Sequence, residues 1–332
     1  MAELGRRLVW AAFIVWAVMS LTFVINNVLP SDPARMIAGP QARPHDVLRI
    51  RRQLGLDQPI HVQYAAFFAR IVHLGPSSIA ENDKTHETCA AIGPIHLDLG
   101  KSYQMRRPVV AILAERAPRT FLVAIAAVFV QVVVGAGLGV LAAVRKRTAV
   151  DHAAVGLSLL GVSAPTFLIG IALQFLLART LRVLPMDGFG VTTSEHVTCA
   201  ILPALTLGIY GAAYYTRLIR DEMIGLLKQD YIRTARAKGL GEGMVVLRHA
   251  LRNALVPLVS LVGVDLGALM GGAVVTETLF RWPGLGAASV QALLDRDGPI
   301  VMGAVLVSST AIVLMSVLAD LLYVVVDPRV RR

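Results

Sequence analysis

The 332-residue sequence predicts an all-α membrane protein with six transmembrane helices. Hydrophobic residues make up 55% of the chain and charged residues 16%. A soluble domain is roughly 45–50% apolar and about 25% charged, so the composition favours a membrane protein. The apolar residues are also concentrated in windows that are long enough to cross a bilayer, which takes ~20 helical residues.

Six windows meet this length. They are residues 8–29, 121–144, 153–178, 199–215, 255–276 and 300–326. The first window is longer than the ~7–15-residue apolar core of a signal peptide, and no cleavage site of small residues follows it before Pro30. We therefore expect it to be a retained membrane anchor.

The cations predict the orientation of these windows. Arg6 and Arg7 precede the first one, so the positive-inside rule predicts a cytoplasmic amino terminus, and six crossings return the carboxyl terminus to the cytoplasm. We expect a first transmembrane helix with an extracytoplasmic segment (1–118), five further helices with a cytoplasmic loop at 216–253 (119–326), and a cytoplasmic tail (327–332). The net charge of +10 serves these cytoplasmic flanks, and we predict no nucleic-acid partner.

Two local patterns refine this architecture. Residues 48–72 predict two amphipathic helices that are separated at 55–59, and residues 74–97 predict a polar loop. Glycines recur every fourth residue at Gly135 and Gly139, and again at Gly263, Gly267 and Gly271. In lipid this spacing lets helix backbones approach closely, so it predicts a packed bundle or a dimer interface.

Several kinds of site are not expected. The residues GKS at 100–102 resemble the end of a phosphate-binding loop, but the glycine that such a loop needs five positions earlier is replaced by Ile95. His86, Cys89 and His96 lack a second cysteine or a carboxylate cluster, so we predict no metal site. The chain has no G-x-S-x-G motif and no evident pair of nucleophile and base, so we predict no catalytic residues.

Three further residues are candidates for a role. Asp265 lies near the middle of the fifth window, where an ionisable group is costly. It either faces the translocation path or is a protonated carboxyl group that is hydrogen-bonded to a neighbouring helix. Cys89 and Cys199 both fall on the external side, where a disulfide can persist, so we treat them as a possible pair.

The stretch YIRTARAKGL at 231–240 predicts a short helix in the cytoplasmic loop. Asp230 is expected to cap a helix that starts at Tyr231, and Gly239 is expected to end it in the left-handed conformation. Small Ala235 lies one turn after Tyr231, which predicts an exposed face with a ring beside a shallow notch. The cations of this helix are Arg233, Arg236 and Lys238.

At this point the sequence resembles a known family. The relevant stretches are LGLDQPIHVQY (54–64), DLGKS (98–102), RTARAKGL (233–240), LRHALRNALVP (247–257), GGAVVTETLFRWPGLG (271–286) and LADLLYVVVDPRVR (318–331). Together they are similar to the membrane-spanning subunit of type I ATP-binding-cassette (ABC) importers, in the dipeptide/oligopeptide permease branch.

The resemblance implies a function for the short helix. In that family a cytoplasmic coupling helix sits in a groove of the ATPase, and its broad motif begins Glu-Ala-Ala, with a glycine four positions after the second alanine. Arg233, Thr234 and Ala235 stand at the first three positions here, with Arg in place of Glu, and Gly239 is the glycine. The residues assigned to ATPase coupling are Tyr231, Arg233, Ala235, Arg236, Lys238 and Gly239.

The resemblance also implies partners and a location. The implied partners are a homologous permease subunit, two ABC ATPase subunits or domains and an extracytoplasmic substrate-binding protein. ATP and Mg would bind to the ATPases, so this chain would carry no cofactor of its own. The implied location is the bacterial inner membrane.

Two alternatives to di- or oligopeptide import stay open. The same machine could import nickel, glutathione or another small solute. In a different class, an ion-gradient-driven secondary transporter would use Asp265 as its ion site.

Overall fold

A computed structural model describes residues 2–28, 33–39, 41–75 and 88–326. The predicted cytoplasmic tail and His86 lie outside these residues. The described chain is mostly helical, which confirms the all-α prediction. It forms two compact units: one contains residues 1–118 and 284–310, and the other contains residues 119–283 and 311–332.

The helices follow in chain order. They are α1 (Ala2–Val28), α2 (Pro33–Ala38), α3 (Pro44–Gln53), α4 (Ile60–Ile71), α5 (Val109–Val144), α6 (Ala149–Ser163), α7 (Thr166–Leu173), α8 (Thr193–Leu226), α9 (Asp230–Ala237), α10 (Glu242–Met244), α11 (Leu251–Gly272), α12 (Val274–Leu279), α13 (Leu285–Leu294) and α14 (Gly298–Val326). Two π-helical segments, Gln174–Thr180 and Val245–Ala250, directly follow α7 and α10.

The pair of amphipathic helices predicted for residues 48–72 is confirmed as α3 and α4. Helix α3 carries a proline at its first position, where the missing N–H group costs nothing. It ends before Gly55, whose φ of +67° is a left-handed angle that glycine adopts readily.

The first unit also contains a small antiparallel sheet. Its strands are β1 (Val72–Leu74), β2 (Cys89–Ile92) and β3 (Ile95–Asp98), in the order β1-β3-β2. The prediction of a polar loop at 74–97 is therefore wrong over the described strand residues. Ile92 and Ile95 pair across a two-residue connection that begins with Gly93 at φ +64°. A glycine in the first central position of a tight hairpin is a signal that could have revealed the strands.

Buried polar contacts organise the connection after β3. The Ser102 hydroxyl donates a hydrogen bond to Asp297 Oδ2 at 2.5 Å. The backbone N–H groups of Tyr103 and Gln104 donate to the same carboxylate, each at 3.2 Å. Ser102 of the GKS stretch thus belongs to a hydrogen-bonded turn around Asp297.

Five of the described helices are long and apolar enough to span a membrane. They cover Gly5–Ile25, Val109–Val144, Thr193–Leu226, Glu242–Gly271 and Gly298–Tyr323. A sixth span is present if the pair Ala149–Ser163 and Thr166–Thr180 counts as one, although these two pieces are bent by 107°.

The predicted window at 153–178 is therefore divided between two helices that meet at a bend. Proline disfavours helical backbone angles in the residue before it, and Ala164, which precedes Pro165, is extended at φ −79° and ψ 130°. The break follows from this dipeptide.

The structure confirms the close packing of helices that the glycine spacing predicts, and the contacts lie in the second unit. A Cβ atom at Gly135 of α5 would lie 2.5 Å from the Cβ of Tyr215 in α8, and one at Gly263 of α11 would collide with Ala319 of α14. Comparable close approaches involve Gly139, Gly267 and Gly271. These pairs of helices touch because one partner lacks side chains at the contact.

Candidate functional site

Helix α9 forms the predicted short helix, with a corrected start. It begins at Asp230, and the extended residue Gln229 occupies the N-cap without a side-chain capping bond. The prediction that Asp230 caps the helix is wrong by one residue, because Gln229 already adopts the non-helical angles of a cap. Asp230 instead lies in the first turn, where its carboxylate contacts the Arg233 guanidinium at 3.5 Å.

The glycine stop is confirmed. Gly239 has φ +79°, and its N–H group donates to the Arg236 carbonyl oxygen at 2.9 Å. The N–H group of Leu240 donates to the Ala235 carbonyl oxygen at 3.3 Å, which completes a Schellman motif. A Cβ at position 239 would meet no atom within 4 Å, so there is room for a side chain. Glycine is favoured here because of the left-handed backbone angle.

One face of α9 is buried in the chain's own core. Ile232 and Ala235 are three positions apart, so they lie on the same face, and their exposed fractions are 0% and 6%. They pack in a cluster with residues of α8 and α11. The expectation that Ala235 leaves an exposed notch for a partner is therefore wrong. Ala235 is small because it faces the interior.

The opposite face of α9 is exposed. At 3.6 residues per turn, the positions farthest from Ile232 and Ala235 carry both charges and small side chains. We call this set the outer face of α9; it comprises Asp230, Arg233, Thr234 and Ala237. The small side chain that the outer face exposes is Ala237.

The remaining predicted residues flank this face. Tyr231 is 40% exposed, and its hydroxyl accepts a hydrogen bond from Asn253 Nδ2 at 3.1 Å. Lys238 is exposed at the carboxyl end of the helix. Arg236 is committed within the chain, as its guanidinium donates two hydrogen bonds to Glu242, at 2.7 and 3.1 Å. These bonds raise the pKa of Arg236 above its usual value and link α9 to the turn that follows it.

Two carboxylates that the sequence patterns do not single out are buried in the same unit. Asp151 accepts two hydrogen bonds from the Arg220 guanidinium, at 2.6 and 3.0 Å, and a third from the Arg147 N–H group at 2.9 Å. Glu277 is fully buried and accepts a bond from the Thr120 hydroxyl at 2.7 Å. The Asp151 contacts place the turn at 145–147 beside the carboxyl-terminal part of α8.

Asp265 contacts a neighbouring helix. The fully buried Tyr215 of α8 donates a hydrogen bond from its hydroxyl to Asp265 Oδ2 at 2.7 Å. The hydrogen bond to a neighbouring helix is therefore present, and the Asp265 side chain is half-buried. The protonated state of its carboxyl group stays a prediction. The role of Asp265 in a translocation path stays a prediction.

The possible disulfide is not formed. Neither Cys89 nor Cys199 is in a disulfide. Cys89 lies in β2, and its sulfur is 3.7 Å from Nε2 of His73, whereas Cys199 lies in α8. Each sulfur thus has surroundings of its own.

Comparison with known proteins identifies the family. The family described as "Binding-protein-dependent transport system inner membrane component" matches residues 135–332, and its N-terminal companion matches residues 1–124. A Brucella abortus protein named as a peptide transport system permease protein is 38% identical over 329 residues, 98% of both chains.

Two further proteins are similar to this chain. The glutathione transport system permease protein GsiC of Salmonella typhimurium is 37% identical over 311 residues, which are 94% of this chain and 92% of GsiC. In fold, the chain resembles a chain of the inward-facing MetNI methionine ABC transporter, with a TM-score of 0.54 and 20% identity. The match covers 66% of this chain and 98% of that one.

The two family matches together span most of the sequence, and the first alone covers more than half of it. The helical membrane fold and the 38% identity to a permease over nearly the full length agree with them. The chain therefore belongs to the family of inner membrane components of binding-protein-dependent transport systems and is an ABC importer permease.

Proposed function

We propose that this chain is the pore subunit of an ATP-driven importer of di- and oligopeptides, and that α9 is the element that docks on an ATPase. The observation that carries this proposal is the two-sided character of α9. Its inner face is anchored in the core by Ile232 and Ala235, while its outer face is exposed and contains small side chains around Ala237. An anchored helix with a shallow outer face can both receive a partner and transmit the partner's movement.

The partners follow from the family. A binding-protein-dependent system includes a binding protein by its description, and ABC transporters are driven by ATPases. We infer a homologous permease subunit, two ABC ATPase subunits or domains that hold ATP and Mg, and an extracytoplasmic binding protein. Both termini would be cytoplasmic in a bacterial inner membrane. This assembly favours the ATP-driven function over the ion-gradient alternative.

The substrate class rests on the relatives. Their names include peptide and glutathione transport, and glutathione is itself a tripeptide. A pore that accommodates peptide backbones is the simplest common function, with glutathione or nickel as the alternatives. Uptake of a labelled dipeptide into cells, with unlabelled tripeptide, glutathione and Ni²⁺ as competitors, distinguishes the three.

The coupling step is a population shift. ATP-driven closure of the ATPases moves their grooves, and the outer face of α9 moves with them. Two states that differ in affinity for ATP are sufficient for this, because a ligand shifts an equilibrium by its differential affinity for the two states. Hydrolysis then restores the first state.

The test places a bulky cation on the outer face. Ala237→Arg should leave membrane insertion intact and should abolish co-purification with the ATPases in mild detergent. Ala66→Arg is the matched control, because Ala66 is an exposed alanine of α4, in the predicted external segment. Normal co-purification and transport with Ala237→Arg would refute docking at this face.

A further inference from the structure

We infer that His73, Cys89 and His96 form a binding site for a divalent transition-metal ion of the Zn²⁺ type. Among the described residues, this is the group whose ligand atoms converge, and they all lie within 4.8 Å of one another. The inference rests on the small sheet of the first unit and is independent of the function proposed for α9.

The strand register brings the three side chains to one face of the sheet. His73 of β1 is directly opposite His96 of β3, and their ring centroids are 5.5 Å apart. Cys89 of β2 is opposite Asp98. Alternate residues of a strand point to the same face, so Asp98 shares a face with His96, and Cys89 joins them there. Each strand thus supplies one potential ligand.

The distances suit a tetrahedral ion. Cys89 Sγ is 3.7 Å from Nε2 of His73. With Zn–N bonds of ~2.0–2.1 Å and a Zn–S bond of ~2.3 Å, two ligands at a tetrahedral angle are ~3.6 Å apart. The observed distance between Cys89 Sγ and His73 Nε2 therefore matches that of two ligands of one ion, and the His96 ligand atom lies within 4.8 Å of both.

The second ring nitrogen of His73 prepares Nε2 for this role. His73 Nδ1 is 3.1 Å from the backbone carbonyl oxygen of Arg70. A carbonyl oxygen only accepts hydrogen bonds, so Nδ1 carries the proton, and Nε2 of the neutral ring keeps its lone pair. Metal-binding histidines almost always donate their other N–H group in this way.

Packing fixes the His96 ring. The side chain of His96 is fully buried. A Cβ atom at Gly75 would lie 2.7–2.9 Å from three atoms of that ring, so residue 75 has to be glycine for the imidazole to occupy this position. The backbone N–H group of Gly75 also donates to the Pro94 carbonyl oxygen at 3.0 Å, which holds the glycine against the ring.

The donor set selects the kind of ion. One thiolate and two imidazoles suit Zn²⁺ and its neighbours in the transition series, whereas Ca²⁺ and Mg²⁺ prefer oxygen ligands. On binding, the Cys89 thiol releases its proton to water and both rings bind as neutral imidazoles. Three protein ligands leave a fourth position for a water molecule or another donor.

Co²⁺ is the probe for this site, because it takes Zn²⁺ positions and a thiolate ligand gives it a charge-transfer absorption. The full chain is purified with its partners through a tag without histidine, treated with a chelator and kept reduced. We expect one equivalent of Co²⁺ with the thiolate absorption, displaced by one equivalent of Zn²⁺. Cys89→Ser should abolish the absorption, and His73→Ala should weaken Zn²⁺ binding at least tenfold.

Cys199→Ser and His61→Ala are the controls, since they remove the other cysteine and an exposed histidine of α4. Both should bind the metal as the unmodified chain does. The test uses no variant of His96, because this side chain is fully buried and its replacement would disturb the packing of the sheet. The unmodified chain and the variants at the half-buried positions 73 and 89 decide the question. Failure of the unmodified chain to give the thiolate absorption, or its loss in Cys199→Ser but not in Cys89→Ser, would overturn the inference.

Discussion

At the scale of single residues, two alanines of α9 separate anchoring from docking. Ala235 is 6% exposed, and Ala237 is exposed on the outer face. We expect Ala235→Arg to destabilise the chain by about 3 kcal/mol or more, because it buries a charge without a partner. Ala237→Arg should leave the stability nearly unchanged. Thermal unfolding of the two purified variants in detergent tests this, and equal midpoints would contradict the burial argument.

Asp265 allows its charge to be tested apart from its hydrogen bond. Tyr215→Phe removes the hydroxyl that donates to the carboxylate, and Asp265→Asn removes the charge while keeping an acceptor. If Asp265 binds the cationic end of substrates, Asp265→Asn should reduce their uptake roughly tenfold, since a hydrogen bond to a charged group contributes about 1.5–3 kcal/mol. Tyr215→Phe should change uptake less. The measurement is competition between cationic and anionic peptides, with assembly checked by co-purification; equal effects on both peptides would exclude a charge-specific role.

Residue identities predict which positions share a face but not where that face points. The spacing in YIRTARAKGL correctly predicts the helix and its glycine stop. It does not show that Ile232 and Ala235 point inward, because that depends on α8 and α11, which pack beneath them. The sequence likewise does not show that His73, Cys89 and His96 lie close together. His73 and His96 are 23 positions apart, and only the strand register makes them neighbours.

At the scale of elements, two glycines that follow α9 differ in backbone conformation. Gly239 has φ +79°, whereas Gly241, two positions later, has φ −64° and ψ 145°. An L-residue in the left-handed region costs roughly 1–2 kcal/mol, and a β-branched residue is poorly suited to it. We expect Gly239→Val to uncouple ATP hydrolysis from transport and Gly241→Val to have a much smaller effect. Substrate-stimulated ATPase activity of the reconstituted complex is the readout, and full stimulation with Gly239→Val would refute the required turn.

Element boundaries follow from sequence where proline or glycine decides them. Pro165 explains the bend between α6 and α7, and Gly55 explains the gap between α3 and α4. The hydrophobic window conceals the bend, since apolarity alone does not distinguish a straight helix from two helices at an angle. The sheet is concealed for a different reason. Its strands have only three or four residues each, too few for a periodic pattern to stand out.

At the scale of the whole molecule, the predicted orientation is tested by labelling. In a background with both cysteines replaced by serine, Ile95→Cys should react with a membrane-impermeant maleimide in intact cells, because Ile95 is 51% exposed in the predicted external segment. Lys146→Cys should react only after the membrane is permeabilised. Position 146 lies in the turn between α5 and α6 and is exposed, so its protection would reflect the membrane and not burial in the protein. The reverse labelling pattern would show that the chain has the opposite orientation in the membrane.

The anchoring of α9 has a mechanical consequence. Ile232 and Ala235 pack against α8 and α11, and the bond between Arg220 and Asp151 joins α8 to α6. Close-packed interiors have low compressibility and transmit strain. A force on the outer face of α9 is therefore transmitted to α8, α11 and α6 with little deformation between them. A compound that loosened the packing beneath Ala235 would prevent the movement of α9 from reaching these helices. It would stop transport while leaving nucleotide binding unchanged.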